Sequence, residues 1–463
     1  MRSFGVVGSG IAGLLTAHGL RKAGHAVTLY SDRTPQQWLT ESRPTGTAAR
    51  FELALDWERE LGLNHWEHAA PRGQGVHLSF GQKKKNRLLT LCGQLRGNYF
   101  QAVDVRLQSA RWMEDLEKRG GRVVIEKVDP ARLDQLSAQH DLVIVAGGRA
   151  DMAALFPRDA ARSAYSAPQR KLAMIMARGA PLGFPGVPFL PVKFNFFESY
   201  GECFWVPYFH KDVGPSWSLL FEAKPGGPLD RFDGCQSGDE VVARAKEVIA
   251  DVLPWDSAWA AGLQLADPNG WLVGGFAPTV REPVARLPSG RVVLGMGDTV
   301  MSLDPIAGQG ANNGAKMSRN FVESVAAHDG ALDEPFLRAS FERFYQRHGK
   351  AGMAFSNLLL EPITPAAKSM LIAQYGCNGE SGDGRQLIAD TFIANFVDPQ
   401  AHLQLFTDPA AAAQFIRECT GKSVPAASLS SGLRIARGQL RQLFGLDPQH
   451  PLAEQSASVA AFS

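Results

Sequence analysis

Two glycine-rich stretches hold the residue types that could do chemistry, and they lie far apart in the chain. Near the start, Gly8, Gly10 and Gly13 stand at GxGxxG spacing. Gly8 suits a tight turn, Gly10 lets a pyrophosphate approach the backbone, and Gly13 lets a helix pack closely on a strand. The N–H groups of Ile11 and Ala12, at the start of that helix, would then face the phosphate charge. Much later, GMGDTVMSLDPIAGQGANNGAKM runs from Gly295 to Met317. Gly297 there lets a turn present the carboxylate of Asp298. Pro305 suits a first helical turn, and Gly308, Gly310, Ala311 and Asn312 expose backbone where a long helix begins. A nicotinamide cofactor needs only the first turn. Two such turns suit a long ligand gripped at both ends.

The elements that would position these residues follow from local pattern. Phe4 to Val7 is a short buried-type strand, Ile11 to Lys22 has helical periodicity, Gly24 ends that helix, and Val27 to Tyr30 is a second strand. A ribose-binding acid usually closes this second strand; Ser31 holds that slot, followed by Asp32 and Arg33. Either Asp32 reaches round to the ribose, or the adenosine end is held loosely and Asp32 is a turn residue. Val292 to Leu294 is a strand running into the Asp298 turn.

Bulk properties narrow the function classes. The chain has 463 residues, 45% hydrophobic, with a formal charge of +2. That balance gives no electrostatic footprint for nucleic acid. The five cysteines form no CxxC pair and are odd in number, which argues against a disulfide framework or a zinc site and fits a reducing cytosol. The eleven histidines make no HExxH or paired spacing, so no metal is expected. No apolar run is long enough to span a bilayer, and FGVVGSG is already structural where a leader would sit. A cytoplasmic protein with no membrane partner is the expectation.

The order of these motifs resembles flavoprotein monooxygenases of the glutathione-reductase-like FAD fold. Within that fold the chain is most similar to the oxygenases of two-component styrene and indole monooxygenases. The resemblance is carried by VTLYSDR, FELALD before NHW, DVRL with LEKRGGRV, LSAQHDLVIVAGG, PQRKLA and GMGDTVMSLDPIAGQGAN, and it fades after about residue 420. It implies an α/β chain in which a Rossmann FAD-binding domain (1–170 and 280–330, with a β insertion around 70–100) interleaves with a β-rich substrate domain (171–279). A helical region (331–420) and a tail (421–463) with a short amphipathic helix follow.

It also implies a mechanism. A separate NAD(P)H-dependent flavin reductase supplies reduced FAD by diffusion; O2 adds at the flavin C4a carbon, and the distal oxygen passes to an apolar aromatic by epoxidation or hydroxylation. Such chemistry needs a dry, shaped pocket rather than a positioned nucleophile. Asp298 would bind ribityl hydroxyls, and the helix starting near Gly308–Asn312 would face the pyrimidine side of the ring, which is negative when reduced. Arg43, Gly46 and Thr47 match flavin-proximal positions in ESRPTGTAAR, with Gly46 and Thr47 on the reaction side. Arg106 matches an arginine near the cofactor, or else serves only the helix that follows it. Single-component hydroxylases carry an Asp-Gly pair where this chain has Ala146, Gly147 and Gly148.

The departures from the family concern volume. The styrene enzymes carry an asparagine at Gly46, and a larger apolar residue and a histidine at Ala48 and Arg50. Residues matching Gly73 and Val76 are bulkier or polar there. Smaller side chains at Gly46, Ala48 and Gly73 should leave room for a substrate larger than styrene, such as a substituted indole. Phe194, Phe196, Phe204, Trp205 and Tyr208 could line that pocket or simply form an aromatic core. His210 reads as a satisfied edge residue, and the basic run Lys83 to Arg87 as a solvated hairpin tip. Arg434, Arg437 and Arg441 fall roughly on one face of the tail helix, and a homodimer is left open. The rival readings are a single-component NAD(P)H-dependent hydroxylase and, from another class, a non-catalytic FAD-fold binding protein.

Overall fold

The structure, a computed structural model, describes residues 1–148, 150–380 and 382–444. The frayed end expected over the last dozen residues lies outside them. The chain divides into two compact units. Among the described residues the first comprises 1–67, 103–168 and 276–357, the second 68–102, 169–275 and 358–444. The helices expected as one region from 331 to 420 therefore divide between the units at residue 357. No helix among the described residues is long and apolar enough to cross a membrane.

The first unit is built on a sheet of six strands in the order Val284–Arg286, Val292–Gly295, Leu142–Val145, Ser3–Val7, Ala26–Ser31, Arg122–Ile125. All neighbours pair in parallel except the first two. Parallel strands are buried on both faces, and Leu142–Val145 is accordingly apolar and buried throughout. Ser3–Val7 has its sequential neighbour Ala26–Ser31 on one side and Leu142–Val145 on the other. Strand order thus reverses at its carboxyl end, where open α/β sheets bind ligands. Helix Ile11–Lys22 packs on the sheet and against helix Gly310–Ala326. A side chain at Gly19 would come within 2.7 Å of Val322, so small residues set that approach.

The second unit is a largely antiparallel sheet in the order Gln264–Leu265, Lys171–Arg178, Gly214–Ala223, Gly201–His210, Pro191–Phe197, Gly75–Lys83, Asn86–Gln94, with Trp271–Gly274 also on Lys171–Arg178. Helix Gly238–Val252 covers one face through Val241, Ala245, Val248 and Ile249, which share a core with Trp205, Trp217 and Trp259. This helix interrupts the β-rich stretch read from sequence. Its signals were present: Ser237 accepts from the Glu240 N–H as N-cap, and apolar residues recur at helical spacing.

Two surface expectations change. Arg87, the last residue of the basic run, is buried over the Trp255 ring rather than at the solvated tip, and Lys84 pairs with Asp251. The final helix runs Val424–Leu443, longer than expected. Arg434 turns inward to donate to the Tyr375 carbonyl, while Arg437 and Arg441 stay exposed.

Candidate functional site

The first turn is shaped by contacts that exclude side chains. Gly8 has φ +114°, and a Cβ there would lie 2.8 Å from the backbone of Ala146 and Gly147. A Cβ on Gly13 would sit 2.1 Å from the Gly8 carbonyl. Gly10 is the contrast: nothing lies within 4 Å of where its Cβ would be. Helix Ile11–Lys22 starts directly after Gly10 with no side-chain cap, so its first N–H groups point into that open space.

At the end of Ala26–Ser31, the Ser31 hydroxyl is fully buried and already bonded to Ser9 Oγ (2.7 Å) and the Arg33 carbonyl (2.6 Å). Trp38 Nε1 donates to the same Ser9 oxygen. Ser31 therefore braces the turn, its hydroxyl engaged by protein on both sides. Asp32 is exposed, 3.9 Å from Arg33, whose guanidinium lies over the Trp38 ring.

The second turn meets the first. Strand Val292–Gly295 leads into a 3-10 turn, Gly297–Thr299. Gly297 has φ +60°, with its missing Cβ 2.8 Å from the Ala12 methyl; the missing Cβ of Gly314 would be 3.2 Å from the same methyl. Ala12 is thus where two distant parts of the chain converge. Thr299 Oγ1 also donates to the Gly147 carbonyl at 3.2 Å. Asp298 is exposed at this junction, and no described residue donates a hydrogen bond to it. The recess around it is dense with protein, and desolvation raises its carboxyl above the usual aspartate range. Asp304 caps the Ile306 N–H, Gly308 turns the chain at φ +61°, and helix Gly310–Ala326 begins without a side-chain cap. The Asp298 carboxylate lies 3.9 Å from the Cβ position of Gly310.

The segment Arg43–Arg50 lies in the same unit. Arg43 is exposed; Gly46 and Thr47 are half-buried, with nothing within 4 Å of the Gly46 Cβ position. Ala48 has φ +51°, unusual for a residue with a side chain. Arg50 is buried and ion-paired with Glu58, so it does not line an open pocket. Burial raises the Glu58 carboxyl, and the Arg50 charge opposes that. The Asn312 side chain is occupied by protein: Nδ2 donates to the Ala49 and Gly308 carbonyls, and Oδ1 accepts from Phe51 N. Arg106 is fully buried, bidentate to Asp104 at 2.9 and 2.8 Å, with Nη1 3.4 Å from the Ser42 carbonyl. It is a neutralised cation behind the segment rather than an open one.

In the second unit, Phe194 pairs in register with Phe204 and their rings stack at 5.0 Å. Val76, beside Val192, and Phe196 share that face by strand alternation. Trp205 cannot join them. It follows Phe204 directly, so it points to the opposite face, into the cluster with Trp217 and Trp259. Tyr208 is buried. Gly73 leaves no spare room: the Phe100 ring fills its side-chain position, 2.0 Å from an added Cβ. His210 is buried, with Nε2 2.6 Å from Asp267 and Nδ1 accepting from Asp212 N, so both ring nitrogens are engaged. Sequence reasoning did not find Glu58 or Ser9, whose roles depend on contacts no local pattern announces.

In the first unit, an open carboxylate, two uncapped helix starts and two glycines beside empty space match the needs of a dinucleotide with a polyhydroxyl link. The residues fit FAD. Comparisons with known proteins point the same way. The family described as "Styrene monooxygenase A putative substrate binding domain" matches residues 148–258, and an NAD(P)-binding Rossmann-like domain matches residues 6–63. Styrene monooxygenase StyA of Pseudomonas fluorescens is 27% identical over 90% of this chain and 98% of its own. The fold is shared with 2-methyl-3-hydroxypyridine-5-carboxylic acid oxygenase (TM-score 0.54, 14% identity, 80% of this chain and 95% of that one). It is shared too with the flavin-dependent brominase Bmp2 (TM-score 0.56, 15% identity, 94% and 99%). At such identities these two structures speak to fold alone.

Proposed function

We propose, from the premise that the chain is a FAD-dependent monooxygenase of the styrene monooxygenase type, that it is the oxygenase half of a two-component system. Its reduced FAD would come from a separate NAD(P)H:flavin reductase inside the cell, and its substrate would be an apolar aromatic larger than styrene, such as a substituted indole. The observation that carries the reading is the convergence of the two glycine turns on Ala12, which leaves Asp298 as an open carboxylate beside an uncapped helix start. Bound reduced FAD supplies the means of activating O2; the chain's own residues do the rest. The N–H groups of Ile11 and Ala12 would hold the pyrophosphate, and Asp298 would accept from ribityl hydroxyls. The start of helix Gly310–Ala326 would offer partial positive charge to the negative side of a reduced ring. Ala146, Gly147 and Gly148 stand where single-component hydroxylases carry an acid, which favours external reduction. In the second unit Phe194, Phe196 and Phe204 share one buried aromatic face, of the apolar character such a substrate needs; in the first unit Gly46 has open space at its Cβ position.

The test supplies chemically reduced FAD and O2 to the purified chain with styrenes, indoles, sulfides and fused aromatics, and measures oxygenated product. The reading expects product without NADH, and larger aromatics preferred over styrene. NADH consumption by the chain and FAD alone, stimulated by substrate, would establish the single-component alternative instead.

A further inference from the structure

The turn from Gly46 to Ala49 is gripped from behind by side chains. Arg50 Nη1 donates to the Ala48 carbonyl at 2.6 Å, while its Nε pairs with Glu58 on helix Glu52–Glu60. Asn312 Nδ2 donates to the next carbonyl, Ala49, at 2.8 Å, and its Oδ1 accepts from Phe51 N at 2.9 Å. Arg50 and Glu58 are 1% and 2% exposed, so neither exchanges these contacts for water. Ala48, whose own carbonyl is the one that Arg50 holds, sits at φ +51°, in the left-handed region that residues with a Cβ avoid. A strained residue persists only where its surroundings over-determine it.

A cation that merely neutralised Glu58 would have no need to reach the carbonyl of the strained residue. We infer that Arg50, oriented by Glu58, is a positioning residue that holds Gly46–Ala49 in the shape it presents to the flavin. This rests on the reading that the turn flanks the cofactor. The planar guanidinium can serve both partners at once because its N–H groups form a fixed fork. A lysine carries one ammonium point charge and can satisfy Glu58 or the Ala48 carbonyl, not both.

The experiment compares Arg50→Lys, Arg50→Met and Glu58→Gln in the full chain. Amide hydrogen exchange of the 44–51 peptide is followed with and without oxidised FAD, alongside thermal melting. Glu58→Gln keeps an acceptor for Nε, and exchange should stay within about 2-fold of wild type. Arg50→Lys should melt close to wild type yet exchange about tenfold faster over 44–51, with no comparable change elsewhere in the chain. Arg50→Met should show the same local change with a lower melting temperature. If Arg50→Lys exchanges at the wild-type rate, Arg50 acts only as a counter-charge and the inference is overturned. If the exchange changes as expected but FAD neither protects this peptide nor binds the variants more weakly, the grip stands and the placement of the flavin fails.

Discussion

Asp298 should matter to FAD binding and hardly at all to the fold, and that contrast can be worked out in advance. Its carboxylate accepts no hydrogen bond from described protein groups, and the recess around it disfavours its charge. Asp298→Ala therefore removes nothing that holds the apoprotein together; the melting temperature without FAD should stay level or rise slightly. Binding is another matter. A hydrogen bond to a charged group contributes about 1.5–3 kcal/mol, and each 1.4 kcal/mol is roughly tenfold in affinity. Losing one such bond near the upper end of that range, about 2.8 kcal/mol, should weaken FAD by about 100-fold in Asp298→Ala. Asp298→Asn, which keeps one neutral acceptor, should lose about tenfold. Quenching of FAD fluorescence on titration gives the Kd for the oxidised form, and anaerobic titration gives it for the reduced form. Affinity within 2-fold of wild type in the alanine variant would refute the assignment of Asp298. A fall of more than about 4 °C in the apoprotein's melting temperature, roughly 1–2 kcal/mol for a domain of this size, would show a structural role instead.

Three further outcomes follow from single residues. His18 is buried, accepts from Arg119 at Nδ1 and donates to the Trp112 carbonyl at 2.8 Å, and burial lowers its pKa from 6.5 to about 4. A histidine with a depressed folded pKa contributes stability above pH 6.5 that is lost as pH falls toward 4. The loss should be about 3 kcal/mol, measured by urea unfolding at stepped pH, and His18→Gln should flatten that slope; an unchanged slope would contradict the account. Gly73→Ala should cost about 1–3 kcal/mol because the Phe100 ring must move, read as a lower melting temperature with the order of substrate preference unchanged. Gly46→Asn meets open space; it should leave the melting temperature unchanged while raising KM for fused aromatics more than for styrene, and equal effects on both would remove Gly46 from the substrate's surroundings.

The parts of the fold that were legible in the sequence are those where geometry is imposed locally. Gly8, Gly10 and Gly13 have distinct steric duties within one turn, and helix Ile11–Lys22 has the bounds its periodicity predicts. The strand and turn leading to Asp298 were equally plain. What was hidden depends on contacts between distant segments. Nothing near Gly73 announces that Phe100 occupies its side-chain space, and nothing near Ser31 reveals that Ser9 and Trp38 already claim that corner. Arg106 could be read as facing the cofactor or as serving only the following helix, and nothing local showed that Asp104, which caps that helix, also pairs with its guanidinium. Trp205 is different. Strand alternation alone separates it from Phe204, and the aromatic density of the segment masked that period. Helix Gly238–Val252 was likewise readable from Ser237 and the spacing of its valines, within a stretch dominated by β-type runs.

The most direct test of the central claim uses labelled oxygen. The purified chain receives stoichiometric, chemically reduced FAD and 18O2 in a single turnover with a substituted indole, without NADH or any reductase. The account predicts one labelled oxygen atom in the product, the other in water, and little hydrogen peroxide. Full conversion of the 18O2 to hydrogen peroxide with every aromatic offered, despite tight binding of reduced FAD, would contradict it.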